Sequence, residues 1–133
     1  MESTVFDVRT DSDHFADLTA AVNDFCTGRG DGLCHVFAPH ATAGLAVFET
    51  GAGTEADVAA ALERLFPRDE RYVHRHGSPG HGADHVIPAF VSPSLTLPVT
   101  DGRPLLGTWQ SIVLVDPNVD NPVRQVRLSF LPG

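Results

Sequence analysis

Apolar and polar positions alternate over residues 4–9, where Phe6 and Val8 stand against Val5, Asp7 and Arg9, the period-two pattern of a half-buried strand. From Ser12, read as an N-cap, apolar or small side chains recur at Phe15, Leu18, Val22, Phe25 and Cys26. That spacing predicts an amphipathic helix of about four turns, stopped by Gly28. Residues 28–32 read as a turn, and 33–38 and 44–49 as two neighbouring strands with a break at Pro39-His40. A second helix is predicted over 54–66, with Val58, Leu62, Leu65 and Phe66 on one face, Thr54 as N-cap and Asp57 completing an acidic capping box; Pro67 ends it. Residues 68–84 are polar and rich in glycine and histidine, and 85–91 read as a brief helix. Strands follow at 95–99, at 112–115 and along the alternation of Val126, Leu128 and Phe130, separated by the Asp101-Gly102 turn and a 117–122 loop. Strands at both ends around two to three helices, joined by hairpin-like connections, give an α+β class with mostly antiparallel pairing in a single domain spanning 1–133.

Composition narrows the function. The chain has 133 residues, 42% hydrophobic and 20% charged, which suits one packed core and excludes large-scale disorder. Its longest apolar run is only Val58 to Leu62, far short of the roughly 20 residues that span a bilayer, and the opening MESTVFDV has no basic, apolar signal; no membrane partner and a cytoplasmic location are expected. A formal charge of −8 repels polyanions, so nucleic acid is not an expected partner. All basic residues are arginine. Without lysine there is no Schiff base, no pyridoxal-phosphate anchor and no lysine-bearing phosphate loop, and no organic cofactor is expected. Cys26 and Cys34 read as two small buried side chains.

Candidate chemistry concentrates in histidine. His74, His76, His81 and His85 fall within 12 residues, a density that suits divalent-metal binding or proton transfer, set against the plainer reading of a solvated polar loop. No His-Glu-x-x-His signature occurs, and Gly80 and Gly82 weaken helical pairing of His81 with His85. His40 sits at a strand break beside a small-residue turn, where sites collect. Glu49 has the parity of Leu45 and Val47 and reads as a rim carboxylate, a base or ligand, or else an edge charge. His35, in phase with Leu33 and Phe37, reads as a hydrogen-bonded core histidine. Trp109, the sole tryptophan, reads as a core or interface anchor. Arg124 shares the parity of Val126 and Leu128 while Arg127 faces the other way, and either could hold an anion.

PHATAGLAVFE (residues 39–49), Tyr72-x-His74, Ala83-Asp84-His85-Val86-Ile87 and LLGTWQSIVLVD (residues 105–116) together closely resemble the YjbQ family, in order and spacing, over nearly the whole chain. Here Ala41-Thr42 replaces the family's usual Thr-Ser, Phe48 stands where Asn is common, and Asn121-Pro122-Val123-Arg124 replaces its Gly-Pro-Arg. The resemblance implies β-sandwich-like sheets, assembly as a homotrimer, and a secondary thiamine-phosphate synthase activity that couples hydroxymethylpyrimidine diphosphate with a thiazole phosphate and releases diphosphate. It points to His40, Glu49, Asp57, His74 and His85 as catalytic, to Thr108, Trp109, Gln110 and Arg124 as binding the phosphorylated substrate, and to His40, His74 and His85 as ligands of a divalent metal, zinc or magnesium or manganese. Two other uses of the same residues stay open: a trimeric metal-binding or structural protein, and a metal-dependent phosphate-ester hydrolase. A closed four-ligand shell would mark a structural metal, and an open position facing a pocket would mark an enzyme.

Overall fold

A computed structural model describes residues 1–10 and 14–133. Its strands are β1 (Glu2–Arg9), β2 (Phe15–Asp17), β3 (Gly32–Phe37), β4 (Gly44–Phe48), β5 (Ser94–Thr100), β6 (Arg103–Pro104), β7 (Ser111–Val115) and β8 (Val123–Pro132). Three α-helices accompany them: α1 (Thr19–Cys26), α2 (Thr54–Leu65) and α3 (His81–Val86), the last running into a 3-10 turn at Ile87–Ala89. The strands form two antiparallel sheets, one ordered β1-β8-β3-β5-β6 and the other β2-β7-β4. The α+β class and the antiparallel pairing predicted from sequence are thus observed.

Alternation builds the core. Cys34, Val36 and Ala38 follow one face of β3, Leu97 and Val99 one face of β5, and Val126, Leu128 and Phe130 one face of β8; all meet Leu18, Val22 and Cys26 of the α1 region and Leu45, Ile112 and Leu114 of the smaller sheet. Burying such aliphatic side chains stabilises by roughly 1.5–3 kcal/mol each before entropy is counted. Both cysteines are free and fully buried, as read. Burial pushes the Cys34 thiol up to about 12.

Several expectations are corrected. The first helix is shorter than its periodicity suggested: Phe15–Asp17 pairs with β7 as a strand, α1 begins at Thr19, and the Thr19 N–H donates to Asp17 Oδ1 at 2.9 Å. Phe15 and Leu18 share the i, i+3 spacing of a helix face, yet pairing of Phe15–Asp17 with β7 prevails there over helical continuation. Ser12 lies outside the described residues. β3 and β4 are not neighbours but belong to different sheets, so the break at Pro39-His40 is a crossing between layers. His35 keeps its phase with Leu33 and Phe37, yet that phase is the outward face, with Leu33 44% exposed, and the ring Nδ1 meets Thr96 Oγ1 at 2.9 Å. The capping box is absent: Gly53, at φ 92°, caps α2, Thr54 is its first helical residue, and the Gly51 N–H is taken by Glu55 Oε1 at 3.0 Å. The predicted apolar face of α2 is not buried in the subunit, and Leu65 is largely exposed. No helix among the described residues is long and apolar enough to cross a membrane.

Candidate functional site

The histidine-rich segment runs from the end of α2 into α3. His81 and His85, one turn apart on α3, bring their Nε2 atoms to 2.9 Å, and ligand atoms of His74, His81 and His85 all lie within 4.8 Å of one another. The ring of His74 is 4.1 Å from that of His85, and the His76 ring lies tilted at 4.0 Å from His74 and 5.0 Å from His81, so four imidazoles share one patch. Beside them opens a cleft of about 360 Å3 whose wall includes Arg68, Tyr72, Arg75 and Ser78.

Gly82 makes this convergence possible, although beside Gly80 it suggested weak helical pairing. A Cβ at position 82 would stand 2.7 Å from the His74 carbonyl oxygen and 2.7 Å from Tyr72 Cβ, so only glycine lets the 72–74 segment lie against α3. Gly82→Ala is therefore expected to push His74 away from His81 and His85 while sparing the distant sheets. The check is a zinc titration run beside a thermal unfolding curve: zinc binding should weaken markedly with little loss of melting temperature. Unchanged zinc affinity would contradict this role of Gly82.

Carboxylates and amides frame the patch. Asp84, fully buried, is held by Arg68, with Nη2 to Oδ2 at 3.2 Å, and accepts from Asn118 Nδ2 at 2.9 Å. Asp120 Oδ2 accepts from His81 Nδ1 and from Ser78 Oγ, each at 3.0 Å. The Ser78 hydroxyl bond first, with the Ser78 N–H and His81 after it, holds the Asp120 carboxyl below its ordinary range against the opposing effect of desolvation. Loss of solvent and the neighbouring His76 and His81 rings lower the His74 pKa; loss of solvent, then His74, His81 and His76, lower that of His85, against an opposing pull from Asp84. Neutral imidazole, the form that binds metal, is favoured at both.

The other predicted residues stand elsewhere. His40 is not part of the converging group; its Nε2 accepts the Gln125 N–H of β8 at 2.9 Å, and burial lowers its pKa. Arg124 faces inward, 3% exposed, and gives Nε to Asp116 Oδ2 at 2.7 Å and Nη2 to Asp116 Oδ1 and Thr42 Oγ1 at 2.8 and 2.7 Å. A guanidinium so engaged holds the turn after His40 to the 116–118 loop. Arg127 faces outward, as its parity required. Glu49 is half-buried at the end of β4, and Asp57 is exposed on the first turn of α2. Gln110 Oε1 accepts the Gly107 N–H at 2.8 Å and closes the turn bearing Thr108 and Trp109. Trp109 is 74% exposed, so the core reading of the tryptophan is overturned for the subunit.

Sequence reasoning counted His81 in the histidine cluster but left it out of the ligand set, and it gave no role to Asp84, Asn118 or Asp120. Their signals were present but faint: an i, i+4 histidine pair, and a 117–122 loop dense in Asn and Asp. Asn118 joins the two regions, since its N–H donates to Asp116 Oδ1 at 3.3 Å while its side chain reaches Asp84.

Residues 4–133 match the model of the family described as UPF0047 protein YjbQ-like. The chain belongs to the YjbQ family. It is 63% identical to the UPF0047 protein Rv2556c of Mycobacterium tuberculosis over the full length of both chains, and 32% identical to the UPF0047 protein YugU of Bacillus subtilis over 77% of this chain and 79% of that one. Among solved structures it resembles hypothetical protein APE1520 of Aeropyrum pernix, with a TM-score of 0.88, 29% identity and both chains wholly covered. It also resembles the conserved hypothetical protein TT1486 of Thermus thermophilus, with a TM-score of 0.81, 32% identity and 96% and 99% of the two chains covered. The YjbQ family is uncharacterised, so any activity must be argued from the site.

Proposed function

We propose that this YjbQ-family chain is a metal-assisted enzyme on small phosphorylated molecules, centred on His74, His81 and His85, with a thiamine-phosphate synthase type of reaction. The observation that carries this reading is the convergence of three imidazole ligands beside an open cleft. Three protein ligands leave positions for substrate, the pattern of catalytic rather than closed structural zinc sites. The donor set also selects among metals: imidazole nitrogens suit zinc, whereas magnesium prefers oxygen. Once bound, such a cation would supply Lewis-acid stabilisation of diphosphate oxygens. His81 and His85 would hold it through Nε2, and His85 must then shift its proton to Nδ1 or release it, so binding is coupled to protons. Arg75, tied through Nε to the Tyr72 carbonyl at 2.9 Å, lines the cleft as a fixed cation for an anionic substrate.

In the proposed reaction the thiazole nitrogen attacks the pyrimidine methylene carbon; a C–N bond forms as the C–O bond to diphosphate breaks, and the electron pair leaves with diphosphate. Diphosphate release, measured with both substrates and zinc, should depend on both substrates and fall sharply in His85→Ala. Release from the diphosphate substrate alone would instead mark a phosphate-ester hydrolase, and none under any metal would overturn the enzymatic reading.

Assembly as a homotrimer is part of the same proposal, and exposed Trp109 and Leu105 are the anchors it offers. Light scattering should give about three times the 14.2 kDa chain mass, and Trp109→Ala should shift the population toward smaller species. A monomer at micromolar concentration would contradict this.

A further inference from the structure

We propose that Asp120 is the positioning residue of the histidine group: by accepting the Nδ1 proton of His81 it fixes that ring in one tautomer and aims the Nε2 lone pair at the point shared with His74 and His85. The consequence for metal affinity rests on the reading of these histidines as a metal centre; the tautomer is a property of the metal-free chain.

The geometry is directional. His81 Nδ1 lies 3.0 Å from Asp120 Oδ2, and a carboxylate only accepts, so the proton between them belongs to the ring. A neutral imidazole carries one N–H, which leaves His81 Nε2 as an acceptor facing His85 Nε2 at 2.9 Å. The opposite tautomer would set the Nδ1 lone pair against a carboxylate oxygen and forfeit a charge-assisted hydrogen bond. Asn118 Nδ2, 3.3 Å from His81 Nδ1, is a donor that could bond the ring only in the opposite tautomer; the contact to the Asp120 carboxylate is the shorter, at 3.0 Å, and Asn118 Nδ2 already donates to Asp84 Oδ2 at 2.9 Å.

Asp120 is itself held in place. Ser78 donates to Oδ2 from Oγ at 3.0 Å and from its backbone N–H at 3.4 Å, and the Asp120 N–H donates to Asn118 Oδ1 at 3.0 Å. Asn118 is buried, so the carboxylate is referred to the interior rather than to a free loop. Gly77 completes the fit: a Cβ there would stand 2.8 Å from the His81 ring and 3.2 Å from Asp120 Oδ2. Partners that orient a ligating histidine commonly change metal affinity by about 10- to 100-fold when removed.

The test combines two readouts on the full chain. Long-range proton–nitrogen spectra of the metal-free protein should show His81 as the Nδ1–H tautomer in the wild type and in Asp120→Asn, whose amide oxygen accepts the same proton, and should lose that single tautomer in Asp120→Ala. Zinc titration should then show a loss of about 10- to 100-fold for Asp120→Ala, with Asp120→Asn recovering most of it. An Nε2–H tautomer in the wild type, or an Asp120→Ala variant with unchanged tautomer and zinc affinity, would overturn the inference. If Asp120→Ala fails to fold, the wild-type and Asp120→Asn spectra decide alone. Should His85→Ala leave zinc binding intact, the metal reading fails, while the His81 tautomer still decides the role of Asp120.

Discussion

Arg124→Ala is expected to lower the unfolding free energy by about 3–5 kcal/mol, measured by chemical denaturation, because it strands a buried carboxylate. Asp116 is 1% exposed and Arg124 3%, so water screens neither. With the guanidinium gone, Asp116 keeps, among the described residues, Thr10 Oγ1 at 2.8 Å and the Asn118 N–H at 3.3 Å. The same change frees Thr42 and loosens the turn after His40. Pairing Arg124→Met with Asp116→Asn should recover much of the loss, since a buried ion pair replaced on both sides is often close to neutral. Wild-type stability combined with lost turnover would show that Arg124 binds an anion, as the family resemblance implied, and that its pairing with Asp116 is secondary.

His81→Ala and His85→Ala are expected to reduce zinc affinity far more than His76→Ala, by at least a hundredfold, because each removes one of the three proposed ligands whereas His76 is not among the residues whose ligand atoms converge. Calorimetric titration at neutral pH checks the comparison. Zinc should also be lost on acidification. His85 is held below the ordinary histidine value of about 6.5, so as pH falls past that value the unfolded chain takes up its proton before the folded one. Stability is therefore full above about pH 6.5 and declines as the pH falls toward the folded-state value, and zinc occupancy declines in the same direction because protonated imidazole cannot ligate. Equal affinities for the His76, His81 and His85 variants would mean a diffuse polar loop rather than a centre.

The first and last strands were legible because alternation there records the core directly: Phe6 and Val8, and Val126 and Leu128, kept their phase. Phase alone does not say which face is inward, and His35 shows the consequence. Its strand sits in the middle of a sheet whose outer face carries Leu33 and Phe37, so apolar identity misassigned the side. The helix read from Ser12 began too early because the i, i+3 spacing of Phe15 and Leu18 is helical, while the pairing of Phe15–Asp17 with β7, a contact distant in sequence, decides the local structure. At the site, His74 and His85 could be marked by resemblance, but His81 and Asp120 could not. Their roles depend on the 117–122 loop folding back onto α3, a contact 39 residues apart in sequence that no local pattern encodes.

The central claim, a cation centre at His74, His81 and His85, is tested most directly by anomalous diffraction from crystals of the zinc-loaded protein. A single zinc peak about 2.0–2.1 Å from one nitrogen of each of these three rings is predicted. A peak at His40, or no ordered zinc at the three rings under stoichiometric loading, would contradict the account.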